Sequence, residues 1–258
     1  MDYIDFGKTG LKVSRLSIGT GTHGWGGRSQ QTALGLDGLA DLLHKAYDAG
    51  VNFWDSADEY GSHPHVARAL RDLPRDKIVI TTKTTARSGP AIAEDLARFC
   101  KELNTDVLDI VLLHSLREAS WPKKYAGAME ALSRAKEQGM VRAVGFSCHG
   151  LGALRAATET DWVDVVLVRI NHAGVNMDAK PARVVPLINK LYASGKAIYA
   201  MKVLGCGPLT HDVRGAIDYV LQLGTVHALT LGMRSALQLE ENVRLVNELA
   251  LKYPLPSV

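Results

Sequence analysis

Short apolar runs rich in Val and Ile alternate with longer amphipathic segments along most of the chain, and clusters of Gly, Pro, Ser or Asp separate the two. Such alternation predicts buried strands that are each followed by a helix. The predicted strands lie at 15–20, 51–55, 77–83, 108–114, 141–147, 163–170, 197–204 and 226–232. The predicted helices lie at 36–49, 63–72, 90–103, 121–138, 150–158, 181–194, 212–223 and 236–251.

Eight strands with a helix after each predict an α/β fold of the (β/α)8 TIM-barrel type. An open, doubly wound sheet would give the same alternation, but no GxGxxG turn follows the first strand, where a dinucleotide-binding sheet needs it. Residues 3–14 alternate polar with apolar positions around Gly7 and Gly10. They predict a β-hairpin that closes the bottom of the barrel. No linker divides the chain, so we expect one barrel domain over residues 1–258.

The amino-acid composition excludes several classes of function but does not indicate a particular one. The 258 residues are 47% hydrophobic and 22% charged, with a formal net charge of +3 and no basic run, so we expect neither nucleic acid nor a membrane as partner. The three cysteines are far apart in the sequence, which favours neither a metal site nor a disulfide framework. The first residues lack the apolar segment of a signal peptide, and no stretch reaches the ~18 apolar residues of a membrane span. We therefore expect a soluble, cytoplasmic protein.

Four polar side chains follow predicted strands at the ends where barrel enzymes carry their active sites. Asp55, Lys83 and His114 end the second, third and fourth strands, and Tyr60 lies in the loop after Asp55. Singly they could be a capping residue, a solvated lysine, a structural histidine and loop packing. Together, Lys83 can pair with Asp55 and lower the pKa of the Tyr60 phenol, while a neutral His114 hydrogen-bonds a substrate oxygen. The set predicts carbonyl reduction with Tyr60 as the acid.

These residues resemble the Asp–Tyr–Lys–His tetrad of the aldo-keto reductases. The resemblance covers most of the chain, through YIDFGKTGLKVSRLSIGTG, NFWDSADEYG, TTK, LLH, VGFS and GMRSALQLEEN. It implies that NADP(H), or NAD(H), binds across the barrel mouth without a Rossmann domain, and that hydride passes between the nicotinamide and a small carbonyl or alcohol substrate beside Tyr60.

The resemblance also implies a set of cofactor contacts. Gly19 and Thr20 match the segment after the first strand, and Ser147 matches the serine that contacts the carboxamide. An arginine, a hydroxyl and a helix N-terminus together suit an anion, although a capped helix with a solvated face would have the same composition. The residues that match the adenosine-phosphate motif are Arg234, Ser235, Glu241 and Asn242.

The chain departs from the family pattern in the cofactor shell. Cys148 and Leu167 stand where Asn and Gln are common. Asn171 shares a face of the sixth strand with Leu167 by the two-residue period, and could supply the missing carboxamide contact.

The seventh and eighth strands differ from the family as well. Met201 replaces a frequent Tyr under the nicotinamide, and Lys202 could face the pyrophosphate or point to solvent. Gln238 stands where NADPH-preferring members often have Arg, so a preference for NADPH would rest mainly on Arg234. Trp25, Trp121, Cys148 and Cys206 fall near predicted top-face loops and could wall the pocket.

Three other functions remain open. A metal-dependent barrel hydrolase could use Lys83, His63, His65 and His114 as ligands, but such barrels want HxH after the first strand and Asp after the last, where this chain has GTG and GMRS; we predict no metal. A regulatory barrel could bind the cofactor without turnover, and a lyase or epimerase could oxidise its substrate transiently. Short loops and an end at Val258 favour an open pocket for a polar, sugar-like or bulky substrate, or a site completed by a second subunit.

Overall fold

A computed structural model describes residue 1 and residues 3–256. Two antiparallel strands, β1 (Tyr3–Asp5) and β2 (Lys12–Ser14), come first. Eight parallel strands then close into a barrel in the order β10-β3-β4-β5-β6-β7-β8-β9. These strands are β3 (Leu16–Gly19), β4 (Phe53–Asp55), β5 (Val79–Thr84), β6 (Leu108–Leu116), β7 (Val141–Cys148), β8 (Val165–Arg169), β9 (Ala197–Met201) and β10 (Ala228–Gly232). The predicted TIM-barrel class is confirmed.

Helices surround the barrel and connect its strands. They are α1 (Leu36–Asp48), α2 (His63–Leu70), α3 (Gly89–Leu103), α4 (Trp121–Lys124), α5 (Ala126–Glu137), α6 (Leu151–Ala157), α7 (Pro181–Ala193), α8 (Val213–Gln222) and α9 (Ala236–Lys252). The single helix predicted over 121–138 is wrong, because the backbone of Tyr125 (φ −113°, ψ 26°) interrupts it. The strand predicted over 197–204 ends at Met201, because Lys202 has a left-handed backbone with φ 61°.

Two apolar cores result from the two-residue period of the strands. Phe53, Leu112 and Tyr199 belong to the core inside the barrel. Their strand neighbours Trp54 and Leu113 belong to the core between the barrel and its helices. Alternate residues therefore point into the barrel, and at the carboxyl ends of the strands these positions face the barrel mouth.

The hairpin covers the amino-terminal end of the barrel, as predicted. Its register pairs Tyr3 with Ser14 and Asp5 with Lys12. Phe6 is fully buried, and its ring packs edge-on against Phe53, with 5.3 Å between ring centroids. This end of the barrel is thereby closed by apolar packing.

In the described ranges, none of the helices combines the length and the apolar character that crossing a membrane requires. The predicted domain boundaries also include residues 2, 257 and 258, which lie outside the described residues.

Candidate active site

Strand register brings three of the four predicted catalytic side chains to the barrel mouth. Asp55 ends β4, Lys83 is the fifth residue of β5, and His114 is the seventh residue of β6. Each lies two or four positions along its strand from a side chain of the interior core, so it points to the same, inward side. These interior residues are Phe53, Val79 and Leu112. Tyr60 ends a short 3-10 helix, Asp58–Tyr60, in the loop that follows β4.

Lys83 is the centre of this cluster. Its ammonium is fully buried and lies 2.9 Å from the carboxylate of Asp55 and 2.7 Å from the carbonyl oxygen of Ser56. It lies 3.4 Å from the Tyr60 hydroxyl and 4.7 Å from the centre of the Tyr60 ring. Tyr199 donates its hydroxyl to Oδ1 of Asp55 at 2.8 Å. Asp55 is thus held by two donors, so that it in turn holds Lys83 beside Tyr60.

Burial and charge oppose each other in this cluster. Burial alone would lower the pKa of Lys83, but Asp55 and Tyr60 raise it above its ordinary value, so the ammonium stays charged. Burial raises the pKa of the Tyr60 phenol, and Lys83 lowers it only in part. The expected net lowering of the Tyr60 pKa is therefore wrong in direction, because desolvation of the phenolate outweighs the nearby cation. Tyr60 is protonated at neutral pH.

His114 is a neutral hydrogen-bonding group. Burial, followed by the charge of Lys83, lowers its pKa to about 2. Its ring stands edge-on to that of Tyr60, with 5.7 Å between centroids. Its Nδ1 is buried and has no hydrogen-bond partner within the described ranges. A neutral imidazole has one N–H donor and one acceptor nitrogen, and its Nε2–H tautomer can donate to a ligand oxygen.

Two glycines after β3 leave room for the Tyr60 ring. A Cβ at Gly21 would come within 2.1 Å of the ring, and one at Gly24 within 2.5 Å. Since real Cβ atoms do not approach so closely, a larger residue at either position would displace the phenol from Lys83. The loop after β3 therefore packs directly against the Tyr60 ring and restricts its orientation.

Two adjoining cavities open at the barrel mouth and share Gly21, Tyr60, Leu167, Met201 and Lys202. The first, which we call the histidine pocket, has a volume of about 370 Å³ and is lined in addition by His23, Gly24, Trp25, His114, Ser115, Ser147 and His149. The second, the arginine channel, has a volume of about 340 Å³ and is lined in addition by Gly19, Thr22, Gln30, Asp55, Val203, Leu204, Cys206, Gly207, Thr210, Thr230, Leu231, Gly232, Arg234 and Gln238.

Several predicted cofactor residues line these cavities. Gly19, Met201, Lys202, Arg234 and Gln238 line the arginine channel. Lys202 donates to the sulfur of Cys206 at 3.0 Å rather than to a carboxylate, so its charge faces the cavities without an anionic partner at that contact.

Ser147 lines the histidine pocket and is already engaged there. Its hydroxyl accepts the backbone N–H of Ser115 at 2.7 Å. The hydroxyl keeps one proton to donate.

Two predicted contacts that precede α9 in the chain lie outside both cavities. The hydroxyl of Thr20 donates to the carbonyl of Asp55 and pairs with Ser62, because Thr20 follows the inward-facing Gly19 and points outward. The amide of Asn171 is fully used: it donates to the carbonyls of Val175 and Lys202 and accepts two backbone N–H groups. Asn171 therefore shapes a loop and does not replace the missing carboxamide contact.

The motif at α9 is divided in the same way. Ser235 caps the helix by accepting the backbone N–H of Gln238 at 3.3 Å, and the Gln238 amide accepts the backbone N–H of Arg234 at 2.8 Å. Glu241 is exposed and Asn242 is buried, and neither of them lines the channel. The structure thus places Arg234 and Gln238 at the channel and leaves Glu241 and Asn242 in helix packing and solvent.

Further side chains that could have walled the pocket are divided between the cavities and the core. Trp25 lines the histidine pocket and is 60% exposed, and Cys206 lines the channel. Cys148 points outward into the core beneath the helices, and Trp121 is fully buried in α4. His63, a candidate ligand in the hydrolase alternative, bonds Glu102 and Thr82 instead of joining His114.

Tyr199 and His149 were missed by the sequence prediction. Tyr199 shares the inward face of β9 with Ala197 and Met201, so a polar ring on an interior strand face was the available signal. His149 follows β7 and lines the pocket beside His114, with 6.2 Å between ring centroids. Burial, together with the charge of Arg169, lowers its pKa to about 3. No pattern in the sequence separates it from an ordinary loop histidine.

Comparison with known proteins agrees with this geometry. The model of the aldo/keto reductase family matches residues 15–215. The chain is 28% identical to the aldo-keto reductase YhdN of Bacillus subtilis over 57% of its length, and the match spans only 47% of that relative. It is 25% identical to L-galactose dehydrogenase of Arabidopsis thaliana, over 94% of this chain and 87% of that protein.

A solved structure from Pseudomonas aeruginosa, assigned to the aldo-keto reductases, superimposes with a TM-score of 0.79 at 28% identity, covering 96% of this chain and 94% of that one. The chain belongs to the aldo/keto reductase family, whose members are oxidoreductases that use NAD(P)H.

Proposed function

We propose that the chain is an NAD(P)H-dependent carbonyl reductase or alcohol dehydrogenase in which Tyr60 is the proton donor and acceptor. The observation that carries the proposal is the position of the Tyr60 hydroxyl, 3.4 Å from the buried Lys83 ammonium and at the junction of the two cavities. A carbonyl oxygen in the histidine pocket would meet Tyr60 and His114 together.

The arginine channel fits a nicotinamide dinucleotide. Lys202 and Arg234 supply cations for phosphate groups, and the hydroxyl of Thr230 is a buried polar atom without a partner in the described chain. When bound, such a nucleotide supplies or accepts the hydride. Tyr60, Leu167 and Met201 line both cavities, so they would surround the place where the nucleotide meets the substrate and keep water from the reacting carbon.

The proton balance follows from the tetrad. In reduction, the carbonyl carbon gains hydride while the Tyr60 O–H bond breaks and its proton passes to the carbonyl oxygen. Lys83 stabilises the resulting phenolate, and His114 donates a hydrogen bond to the same oxygen. Because burial raises the Tyr60 pKa, the protonated phenol prevails at neutral pH and favours the reductive direction. Oxidation requires the phenolate and should quicken as the pH rises.

We further propose a polar, sugar-like carbonyl or alcohol as substrate class. The histidine pocket combines His23, His149 and Ser115 with the exposed edge of Trp25, and aromatic surfaces beside hydrogen-bonding groups suit hydroxylated ligands. The likeness to L-galactose dehydrogenase supports the same class.

Titration of Trp fluorescence with NADPH and with NADH, followed by turnover of a nitrobenzaldehyde and of short aldoses, tests the proposal. We expect binding of at least one nucleotide and nucleotide oxidation with an aldehyde. Binding of neither nucleotide would overturn the reductase function.

The nucleotide preference is tested with Arg234→Ala. Loss of a charge-assisted phosphate contact should lower the affinity for NADPH by roughly tenfold and leave the affinity for NADH unchanged. An equal loss for both nucleotides would contradict the assignment of Arg234 to the extra phosphate.

A further inference from the structure

The hydroxyl of Tyr60 is carried by a turn and not by a strand, so its position needs a support outside the barrel. Tyr60 lies in the short 3-10 helix Asp58–Tyr60. Its backbone bonds are the short-range ones from Tyr60 N–H to Ala57 and from Gly61 N–H to Asp58, and one from the N–H of Gly27 in the loop after β3 to the carbonyl of Glu59. A one-turn 3-10 helix has weak hydrogen-bond geometry by itself. Lys83, by contrast, is fixed within β5.

Arg98 of α3 clamps this turn. Its two terminal nitrogens each donate to one oxygen of Asp58, both at 2.7 Å. Such a bidentate pair fixes orientation as well as distance. Arg98 is itself held by Asp95 at 2.7 Å and Glu102 at 3.1 Å, three residues before it and four residues after it on α3. The guanidinium therefore has carboxylates on three sides.

The same network ends on both sides of Lys83. Asp95 accepts the hydroxyl of Thr84. Glu102 bonds Nδ1 of the buried His63 at 2.6 Å, and Nε2 of His63 lies 2.7 Å from the hydroxyl of Thr82. Thr82 and Thr84 flank Lys83 on β5 and point outward while Lys83 points inward. Arg98 is thus linked through side chains to the turn that carries Tyr60 and to the strand that carries Lys83.

We propose that Arg98 is a positioning residue that sets the Tyr60 hydroxyl against Lys83 by clamping Asp58, a proposal that rests on the proposed role of Tyr60 as acid. Arg98 lines neither cavity, so it would act through the side chains that it holds and not by contact with a ligand.

A metal ion is a poorer explanation of the same cluster. Asp58, His63 and Glu102 place three ligand atoms within 4.8 Å of one another. However, both carboxylates are already bonded to Arg98, and both ring nitrogens of His63 are engaged. The guanidinium occupies the place that a cation would take.

The exposure of Arg98 makes the proposal testable. Its side chain is 41% exposed, and exposed ion pairs add little to folding stability. A positioning role should therefore appear in turnover while the melting temperature hardly changes. A purely structural role would appear in the melting temperature first.

The variants are Arg98→Gln, Arg98→Lys, Asp58→Asn and the double variant Asp58→Asn with Arg98→Gln. The matched control is Arg134→Gln on α5, where Arg134 is 55% exposed, pairs with Glu130 four residues away and lines neither cavity. The readouts are kcat and KM for an aldehyde, the pH profile of alcohol oxidation, and the melting temperature.

We expect Arg98→Gln and Asp58→Asn each to lower kcat roughly tenfold, since misplacement by about 1 Å can lower the rate by as much as a hundredfold. KM for the nucleotide should hold. The rising limb of alcohol oxidation should move to higher pH, because a displaced Tyr60 loses part of the stabilisation from Lys83. The double variant should be no worse than either single one, and Arg98→Lys should lie between Arg98→Gln and the wild type.

Wild-type kcat and an unshifted limb in Arg98→Gln would overturn the proposal, as would losses that multiply in the double variant. Tyr60→Phe, measured in parallel, distinguishes failure of the proposed function from failure of the positioning role. If Tyr60→Phe retains full turnover, the proposed function itself fails. If it is inactive while Arg98→Gln is normal, only the positioning role fails.

Discussion

The two ends of the barrel are built from the same eight strands but bury different groups. At the amino-terminal end, Phe6 packs edge-on to Phe53, Tyr199 and His227, and the buried guanidinium of Arg15 donates to backbone carbonyls. At the carboxyl-terminal end, Lys83 is buried against a carboxylate beside open cavities.

This contrast shows how the barrel divides its tasks. At the amino-terminal end, the side chains of Arg15 and His227 bond to backbone groups. At the other end, Nδ1 of His114 and the hydroxyl of Thr230 lack partners in the chain that the structure describes. One end supplies stability, and the other keeps hydrogen-bonding capacity for a ligand. Substitutions at the amino-terminal end should therefore change stability without changing turnover.

The largest effect is expected from Lys83→Met. It leaves the buried carboxylate of Asp55 without its cation, so we expect the free energy of unfolding to fall by about 3–5 kcal/mol. We also expect turnover to fall at least roughly a hundredfold. Urea unfolding and steady-state kinetics measure the two.

Lys196→Met is the matched control, because Lys196 is a buried lysine next to the hairpin end whose ammonium donates to the carbonyls of Thr160 and Val163 instead of to a carboxylate. It should lower stability less and leave turnover per folded molecule unchanged. If the two substitutions lowered stability and turnover equally, the proposed difference between the two ends of the barrel would be wrong.

Phe6→Ala should lower the free energy of unfolding by about 3–5 kcal/mol, since it leaves a cavity in the aromatic cluster under the barrel. Turnover per folded molecule should stay at the wild-type level, because Phe6 is at the end remote from Tyr60. Chemical denaturation and kinetics on the folded fraction check both expectations. A fall in kcat for the folded fraction would mean that the two ends are coupled.

Acid should weaken both ends. Burial is the main cause that lowers the pKa of His114 to about 2 and that of His227 to about 4, so both are neutral in the folded protein. In the unfolded chain each takes up a proton below about pH 6.5. The free energy of unfolding should therefore fall with pH below 6.5, by up to about 1.4 kcal/mol per pH unit for each histidine, until the folded pKa is reached.

Urea unfolding between pH 7.5 and 5 measures this slope. His227→Gln should make it shallower without changing turnover at pH 7.5. An unchanged slope in His227→Gln would show that His227 is not a neutral, buried group.

The sequence predicted the barrel well because buried parallel strands leave a strong pattern, and Asp55, Lys83 and His114 follow from their places at the ends of predicted strands. The cofactor shell was predicted less well. Thr20 points outward because it is one residue past the inward-facing Gly19. The side-chain amide of Asn171 makes all its hydrogen bonds to neighbouring backbone groups. Neither the left-handed turn at Lys202 nor the pocket position of His149 has a local signal, because loop tertiary contacts decide them.

The net direction of the Tyr60 pKa was also beyond the sequence. The neighbouring lysine can be identified from the motif, but the burial that outweighs it depends on how closely Gly21 and Gly24 pack against the ring. The charged neighbours of a residue can therefore be predicted from the positions of the strands, whereas its desolvation depends on the packing of the complete fold.

The central claim is that Tyr60 transfers the proton, and the pair Tyr60→Phe and Tyr199→Phe tests it most directly. Both hydroxyls contact the Lys83–Asp55 pair, but only Tyr60 lines the cavities. Single-turnover reduction by nucleotide-loaded enzyme should fall by a factor of about 10²–10⁴ in Tyr60→Phe and far less in Tyr199→Phe, with nucleotide affinity kept in both. Near-normal turnover in Tyr60→Phe, or an equal loss in Tyr199→Phe, would contradict the account.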